Sequence, residues 1–276
     1  MPQSSTAVSA APPADLSPNA PDALSLAGVS IRFGGVQALD GVSLHVPRGS
    51  ITGLIGRNGA GKSTSIRLLA GLLRPDAGEV RVLGRAFDGE ALEIRRRTGW
   101  LLSEPALFAY LTPYETLRFL AEAYGVADAE GERRTRDLLA LFELDGARDR
   151  LVDGFSTGMQ KRLGLAAALV HAPELLVLDE PFETLDPLIV RKLKRLLARY
   201  AAAGGSVLLS SHLIDAVDEI CDRVVIMEKG RVVVSGPTQQ ARRSVEGALG
   251  GGTLEELYAS VVQDSADVEL DWLRPV

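Results

Sequence analysis

Nine consecutive residues, Gly56, Arg57, Asn58, Gly59, Ala60, Gly61, Lys62, Ser63 and Thr64, have the types and spacing of a phosphate cradle, GxxxxGKS. Its glycines let backbone N–H groups turn inward around an anion, and a helix opening directly behind them adds its partial positive charge. Lys62 is then placed to reach the β- and γ-phosphates, and the Ser63 hydroxyl to ligate Mg2+. The flanks are those the motif requires: the apolar run Ile51 to Ile55 reads as a strand, and Ser65 to Leu73 as an amphipathic helix. A bound nucleoside triphosphate is the expectation. A second group lies downstream, where the apolar strand Leu175 to Leu178 ends in Asp179 and Glu180. A strand end beside the phosphate loop lets Asp179 hold Mg2+ directly or through water. Glu180 then faces the space beyond the γ-phosphate, where water would attack, and is the general-base candidate, a role worth about 10²–10⁴-fold in rate. Alone, such a pair reads equally well as two solvated turn carboxylates. The phosphate loop upstream favours the chemistry.

Elements that could hold these groups are legible along the chain. Leu24 to Phe33 and Val42 to Val46 alternate like strands with one wet face, with a turn expected near Asp40-Gly41. Glu79 to Leu83 and Gly99 to Leu102 read as further strands. From about Pro105 to Leu169 helical periodicity takes over, clearest at Tyr114 to Tyr124, which Gly125 should end, and at Arg133 to Phe142. Strands return at Leu175 to Leu178, Ser206 to Ser210, Val224 to Met227 and Val232 to Ser235, with a helix from Pro187 to Ala203 between the first two. Strands alternating with helices predict an α/β core with a largely parallel sheet. Gly250-Gly251-Gly252 is a break before a last helical pattern, Thr253 to Val262. The 276 residues are 46% hydrophobic and 24% charged, ordinary values for a soluble globular chain. A net charge of −6 speaks against a nucleic-acid partner, which calls for clustered Lys and Arg. The single cysteine, Cys221, excludes an internal disulfide, fits a reducing compartment and reads as a packing residue. The best membrane candidate, Leu163 to Val170, falls well short of the roughly 20 apolar residues a span needs. Any membrane role is expected to come through a partner. Met1 to Pro21 lacks a basic region followed by an apolar core, so it reads as a disordered arm rather than a secretory signal.

A third segment carries a family resemblance. Phe155-Ser156-Thr157-Gly158-Met159-Gln160-Lys161-Arg162 resembles the LSGGQ-type signature of ABC ATPases, with Thr157 at the first glycine and Met159 at the glutamine. Singly, the segment also reads as a helix capped by Ser156. The resemblance runs from about Leu24 to Ser235 and implies an α/β fold: a P-loop NTPase core with a mainly parallel sheet, an antiparallel β subdomain and an inserted helical subdomain. The expected divisions are an arm over residues 1–22, the ATPase domain over 23–240 with its helical part at about 104–170, and a C-terminal extension over 241–276. Phe33 stands where the family stacks an aromatic on adenine, the alternative being an edge-strand core residue. Ser156 and Gly158 stand where a γ-phosphate would be contacted. Leu185-Asp186 matches the D-loop, with Glu183-Thr184 in place of the usual small pair. His212 matches the switch histidine that would order the attacking water, although a lone histidine is often structural. The family's Q-loop glutamine is missing: Ser103 aligns with it, and Glu104 would take its place if the loop shifted by one residue.

What the resemblance implies is an ATPase binding ATP and Mg2+. One phosphate loop and one signature per chain imply a second copy, arranged head to tail with Lys62 of one chain opposite Ser156 of the other. A polytopic membrane subunit would be the other partner, and the chain would lie in the cytoplasm, peripheral on the inner face of the cell membrane. Phe108, Tyr110 and Leu111 would either line the cleft for that subunit or belong to the helical core. FSTGMQKR and Thr253 to Tyr258 look like export-type systems. The rival expectations are a soluble ABC ATPase and a nucleotide-gated module that hydrolyses little.

Overall fold

A computed structural model describes residues 22–86, 92–249 and 252–262, apart from the side chains of 245–249. The expected N-terminal arm lies outside the described residues except for residue 22, as do Gly250, Gly251 and residues 263–276. In chain order the elements are β1 (Leu24–Phe33), β2 (Val36–Val46), β3 (Ile51–Ile55), α1 (Lys62–Leu69), β4 (Ala77–Val82) and β5 (Arg85–Ala86). Then come α2 (Leu92–Arg96), β6 (Thr98–Leu101), α3 (Pro113–Ala123), α4 (Asp128–Leu141), α5 (Thr157–Leu169) and β7 (Leu175–Leu178). The rest are α6 (Pro187–Ala202), β8 (Ser206–Ser211), α7 (Ile214–Ile220), β9 (Arg223–Glu228), β10 (Arg231–Pro237), α8 (Thr238–Leu249) and α9 (Leu254–Val261).

The first sheet is antiparallel, in the order β2-β1-β4-β5. Its hairpin turns at Gly34-Gly35, not near Asp40-Gly41 as expected. Both glycines have positive φ, +53° and +91°, as a two-residue hairpin turn requires. Gly41, at φ +62°, lies inside β2, where the register against β1 shifts. A glycine bulge thus mimics a turn in the sequence.

The second sheet runs β10-β9-β3-β8-β7-β6, parallel throughout except for the last strand, β10, which is antiparallel to β9. β3, β7 and β8 are buried along their whole length, the signature of a parallel sheet covered on both faces. Their order sets β3, β8 and β7 side by side, so the phosphate loop, His212 and the carboxylate pair all leave the sheet at one edge, where α/β ligands bind. β6 lies beyond β7 and delivers Ser103 to the same edge. α6 begins at Asp186, whose carboxylate accepts from Leu188 N–H and Ile189 N–H. It buries Ile189, Leu193, Leu197 and Ala201, one stripe at four-residue spacing. Burial of Ile189, Leu193 and Leu197 contributes roughly 1.5–3 kcal/mol each. α3 opens on a capping box between Thr112 and Glu115, with Pro113 in its first turn, and stops before Gly125 at φ +79°. Leu117, Leu139, Phe142 and Leu163 of the helical block join the same apolar cluster as Leu176, Leu178 and Leu209 of the sheet. Leu254 and Leu257 of α9 are buried there too, so the C-terminal helices share the main core.

Candidate nucleotide site

β3 ends at Ile55 and the chain turns at Gly56. A Cβ on Gly56 would stand 2.7 Å from Met227 O, so only glycine lets the loop press against β9. Gly61 sits at φ +107° as the N-cap of α1 and offers no side-chain cap. First-turn N–H groups at such an end call for an outside acceptor, and a phosphate is one. Lys62 is buried, and its Nζ donates to Gly56 O at 2.5 Å. The same Nζ is 3.4 Å from Glu180 Oε1.

On the facing edge Glu180 follows β7 with φ +47°. Its Oε2 is 3.0 Å from His212 Nδ1 and accepts the His212 N–H at 3.2 Å. The expected lysine, carboxylate and histidine therefore form one chain of contacts. Asp179 is buried, and Ser210 Oγ donates to its Oδ1 at 2.5 Å while Ser103 Oγ donates to Oδ2. Of the two Q-loop candidates, both exposed, Ser103 bonds Asp179 and lines the site's cavity, and Glu104 does not line it.

A cavity of about 490 Å³ opens above these groups, within the usual range for a ligand site. The phosphate loop lines it with Arg57, Asn58, Gly59 and Gly61, and α1 with Lys62, Ser63 and Thr64. Ser103, Glu180, Glu183 and His212 close the far side, and Val36, Gln37 and Ala38 of β2 a third. Gly56 and Ala60 lie buried beneath, where Ala60 O accepts the Gly230 N–H at 3.0 Å. Phe33 is not among the lining residues. It is partly exposed at the hairpin tip, opposite Val36, and so is not an edge-strand core residue. Ser156 and Gly158 are also outside this cavity: Ser156 caps α5 by accepting the Met159 N–H, and a Cβ on Gly158 would stand 2.9 Å from Thr184 O. Phe108 and Phe119 pack edge to face at 5.3 Å and stay partly exposed, while Tyr110 is 86% exposed.

Sequence reasoning missed three residues. Ser210 is a fully buried hydroxyl on β8, one of three buried serines in that strand with Ser206 and Ser211, so residue type alone does not single it out. Lys161 is buried on the same helical face as Leu165 and Ala168, donates to Asp179 O at 3.3 Å, and is held below the ordinary lysine range by that burial. Glu183 enters the cavity from the loop after Glu180, and nothing in its sequence context signals this.

For Mg2+, the donor set is oxygen only: the Ser63 hydroxyl, the Asp179 carboxylate and whatever phosphates are bound. Among the described residues no cluster of three or more His, Cys, Asp or Glu could cage a metal. That combination fits a hard cation held largely by its substrate.

A parallel sheet with a phosphate loop, a carboxylate pair and a histidine at one edge defines a P-loop ATPase. The ABC transporter family matches residues 39–183. The chain is 38% identical over 247 residues to the daunorubicin/doxorubicin resistance ATP-binding protein DrrA of Streptomyces peucetius, covering 90% of this chain and 73% of that one. It is 34% identical over 212 residues to the bacitracin transport ATP-binding protein BcrA of Bacillus licheniformis, covering 76% and 68%. Among solved structures, an ATP-binding subunit of an ABC transporter superposes with a TM-score of 0.80 at 35% identity, over 86% of this chain and 98% of that one. The chain belongs to the ABC transporter ATP-binding family and is an ATP-hydrolysing subunit that powers transport.

Proposed function

We propose that this subunit drives export through a separate polytopic membrane protein, working as a head-to-tail pair with a second copy of itself. The Lys62–Glu180–His212 chain of contacts carries the reading, because it couples the phosphate loop to a general base and its positioning partner. Lys62 exchanges Glu180 for the β- and γ-phosphates of ATP. Glu180, freed from that pairing, accepts the proton of the water attacking the γ-phosphorus, while His212 holds the carboxylate and the water in line. Ser63 and Asp179 would hold Mg2+, which when bound neutralises phosphate charge. Ser156 and Gly158 lie outside the cavity of their own chain, which leaves them free to serve the partner's phosphates. Phe33 supplies a flat face for adenine beside Val36. The names of DrrA and BcrA, drug resistance and bacitracin transport, support the export direction. Among the described residues no helix is long and apolar enough to cross a membrane. Attachment to the inner membrane face therefore runs through the membrane subunit, with Phe108 and Tyr110 as exposed apolar contacts. The ATPase domain is assigned to 23–240, with helices inserted over about 104–170 and an extension from 241.

Paired cysteines test the arrangement. Asn58→Cys in one copy and Thr157→Cys in the other should cross-link only with ATP present, the native Cys221 being buried. A yield that ATP does not change would overturn the head-to-tail pair. Inside-out membrane vesicles holding both subunits should take up exported substrate on ATP addition, and uptake into right-side-out cells instead would reverse the direction.

A further inference from the structure

We propose that Ser210 is a positioning residue, setting how both carboxylates, Asp179 and Glu180, face the phosphate loop. Its hydroxyl donates to Asp179 Oδ1 at 2.5 Å and accepts the Glu180 N–H at 2.9 Å. One donor and one acceptor engagement fix the rotor of a hydroxyl. The side chain is fully buried on β8, which is hydrogen-bonded to β3 on one side and β7 on the other, so it cannot drift.

Two consequences follow for the site. At Asp179, Oδ1 is taken from inside the sheet, and Oδ2 is left toward Ser103, a residue lining the cavity. A cation arriving with phosphates meets Oδ2. At Glu180, a left-handed backbone in a residue other than glycine persists only where its surroundings over-determine it. The Ser210 acceptor fixes the N–H end of that residue, and His212 fixes its carboxylate. A single hydroxyl outside the cavity thereby aims the metal-holding and the proton-accepting groups together. Neither neighbouring serine does this. Ser103 is exposed and bonds only Oδ2, while Ser211 Oγ accepts the Leu213 N–H at 3.0 Å.

The inference rests on Asp179 holding the metal, and the test separates the two. Mn2+ is titrated into the full chain with a non-hydrolysable ATP analogue, and binding is followed by electron paramagnetic resonance beside kcat and KM. Removing the hydrogen-bond partner of a metal-holding carboxylate costs about 10–100-fold in affinity, so Ser210→Ala should weaken Mn2+ by at least about 10-fold. The same variant should lower kcat more than it raises the KM for ATP. Ser210→Cys, keeping a weak donor, should recover part of the affinity, and it carries the test should the alanine variant not fold. Thr52→Val, buried on the adjacent β3 and paired with Leu208, controls for packing and should match wild type. Asp179→Ala should abolish the effect of metal, and an unchanged Mn2+ affinity there would remove the metal role itself. If Asp179→Ala loses Mn2+ while Ser210→Ala and Ser210→Cys bind it as wild type does, Ser210 is not the positioning residue.

Discussion

Exchanging Glu180 for glutamine removes one charge and almost no volume, and the structure gives it three separable effects. Lys62 and Glu180 are 5% and 12% exposed, with Nζ and Oε1 3.4 Å apart. At an effective dielectric near 20 the Coulomb attraction at that distance is about 5 kcal/mol. Desolvating both ions takes back much of it, and Lys62 keeps the Gly56 carbonyl, so a net loss of about 2 kcal/mol is expected. For a chain of this size that lowers the melting temperature of the nucleotide-free protein by roughly 4–8 °C. The same change should tighten ATP, since the triphosphate no longer competes with Glu180 for Lys62. A gain of about 1 kcal/mol corresponds to roughly 5-fold in Kd. Hydrolysis should fall by about 10²–10⁴-fold as the general base is lost. Differential scanning fluorimetry, calorimetric ATP binding and phosphate release measure the three. The signs matter more than the sizes, because general damage would lower stability and affinity together. A Glu180→Gln protein that melts as wild type does and binds ATP no better would refute the exchange of partners at Lys62. Unchanged turnover would remove Glu180 from the chemistry.

Other expectations follow from single contacts. Lys62→Ala should weaken ATP by at least about 10–100-fold by calorimetry, since a charged hydrogen bond is worth about 1.5–3 kcal/mol. Gly61→Ala places a Cβ 2.8 Å from Leu39 Cδ2 at φ +107°, a strain of about 1–3 kcal/mol, and should lower both the melting temperature and ATP affinity. His171, stacked on Tyr124 and bonded to Thr98 O, is held by burial below the ordinary histidine range. The unfolded chain therefore takes up that proton first. The stability present above about pH 6.5 should fall as the pH drops toward the lowered folded value. Thermal melts between pH 7.5 and 5.5 should show that loss, and His171→Gln should flatten it.

The phosphate loop and the strand ending in Asp179-Glu180 were legible because each is local, a run of residue types followed by a break, whereas His212 was singled out by the family resemblance. The parallel sheet was legible from strands alternating with helices, as where the helix from Pro187 to Ala203 separates Leu175 to Leu178 from Ser206 to Ser210. What escaped depends on contacts between distant segments. The hairpin turn was misplaced because Asp40-Gly41 has turn chemistry, whereas only pairing with β1 shows that Gly41 occupies a bulge. Ser103 could not be chosen over Glu104 without knowing which of them the edge of β6 turns toward Asp179. Ser210 reads as one small residue in a strand until β7 is laid beside it.

The charges left buried explain why these distant contacts were worth building. Lys62 and Lys161 sit in the interior opposite Asp179 and the largely buried Glu180. Isolated, any one of these ions would be costly there. Together they are nearly balanced, and each carboxylate oxygen of Asp179 has a hydroxyl donor. A triphosphate upsets that balance by arriving with several negative charges at the edge where two acids already lie. Lys62 answers some of that excess by changing partner, but Lys161 is fixed behind the Asp179 carbonyl and cannot follow. The remaining repulsion calls for a second cation on the cavity side of Asp179, and the oxygen donors of Ser63 and Asp179 suit one that travels with phosphate. A metal arriving with the triphosphate would answer that repulsion, and Asp179→Asn, which removes one of the opposing charges, should bind metal-free ATP more tightly than wild type while losing its response to Mg2+.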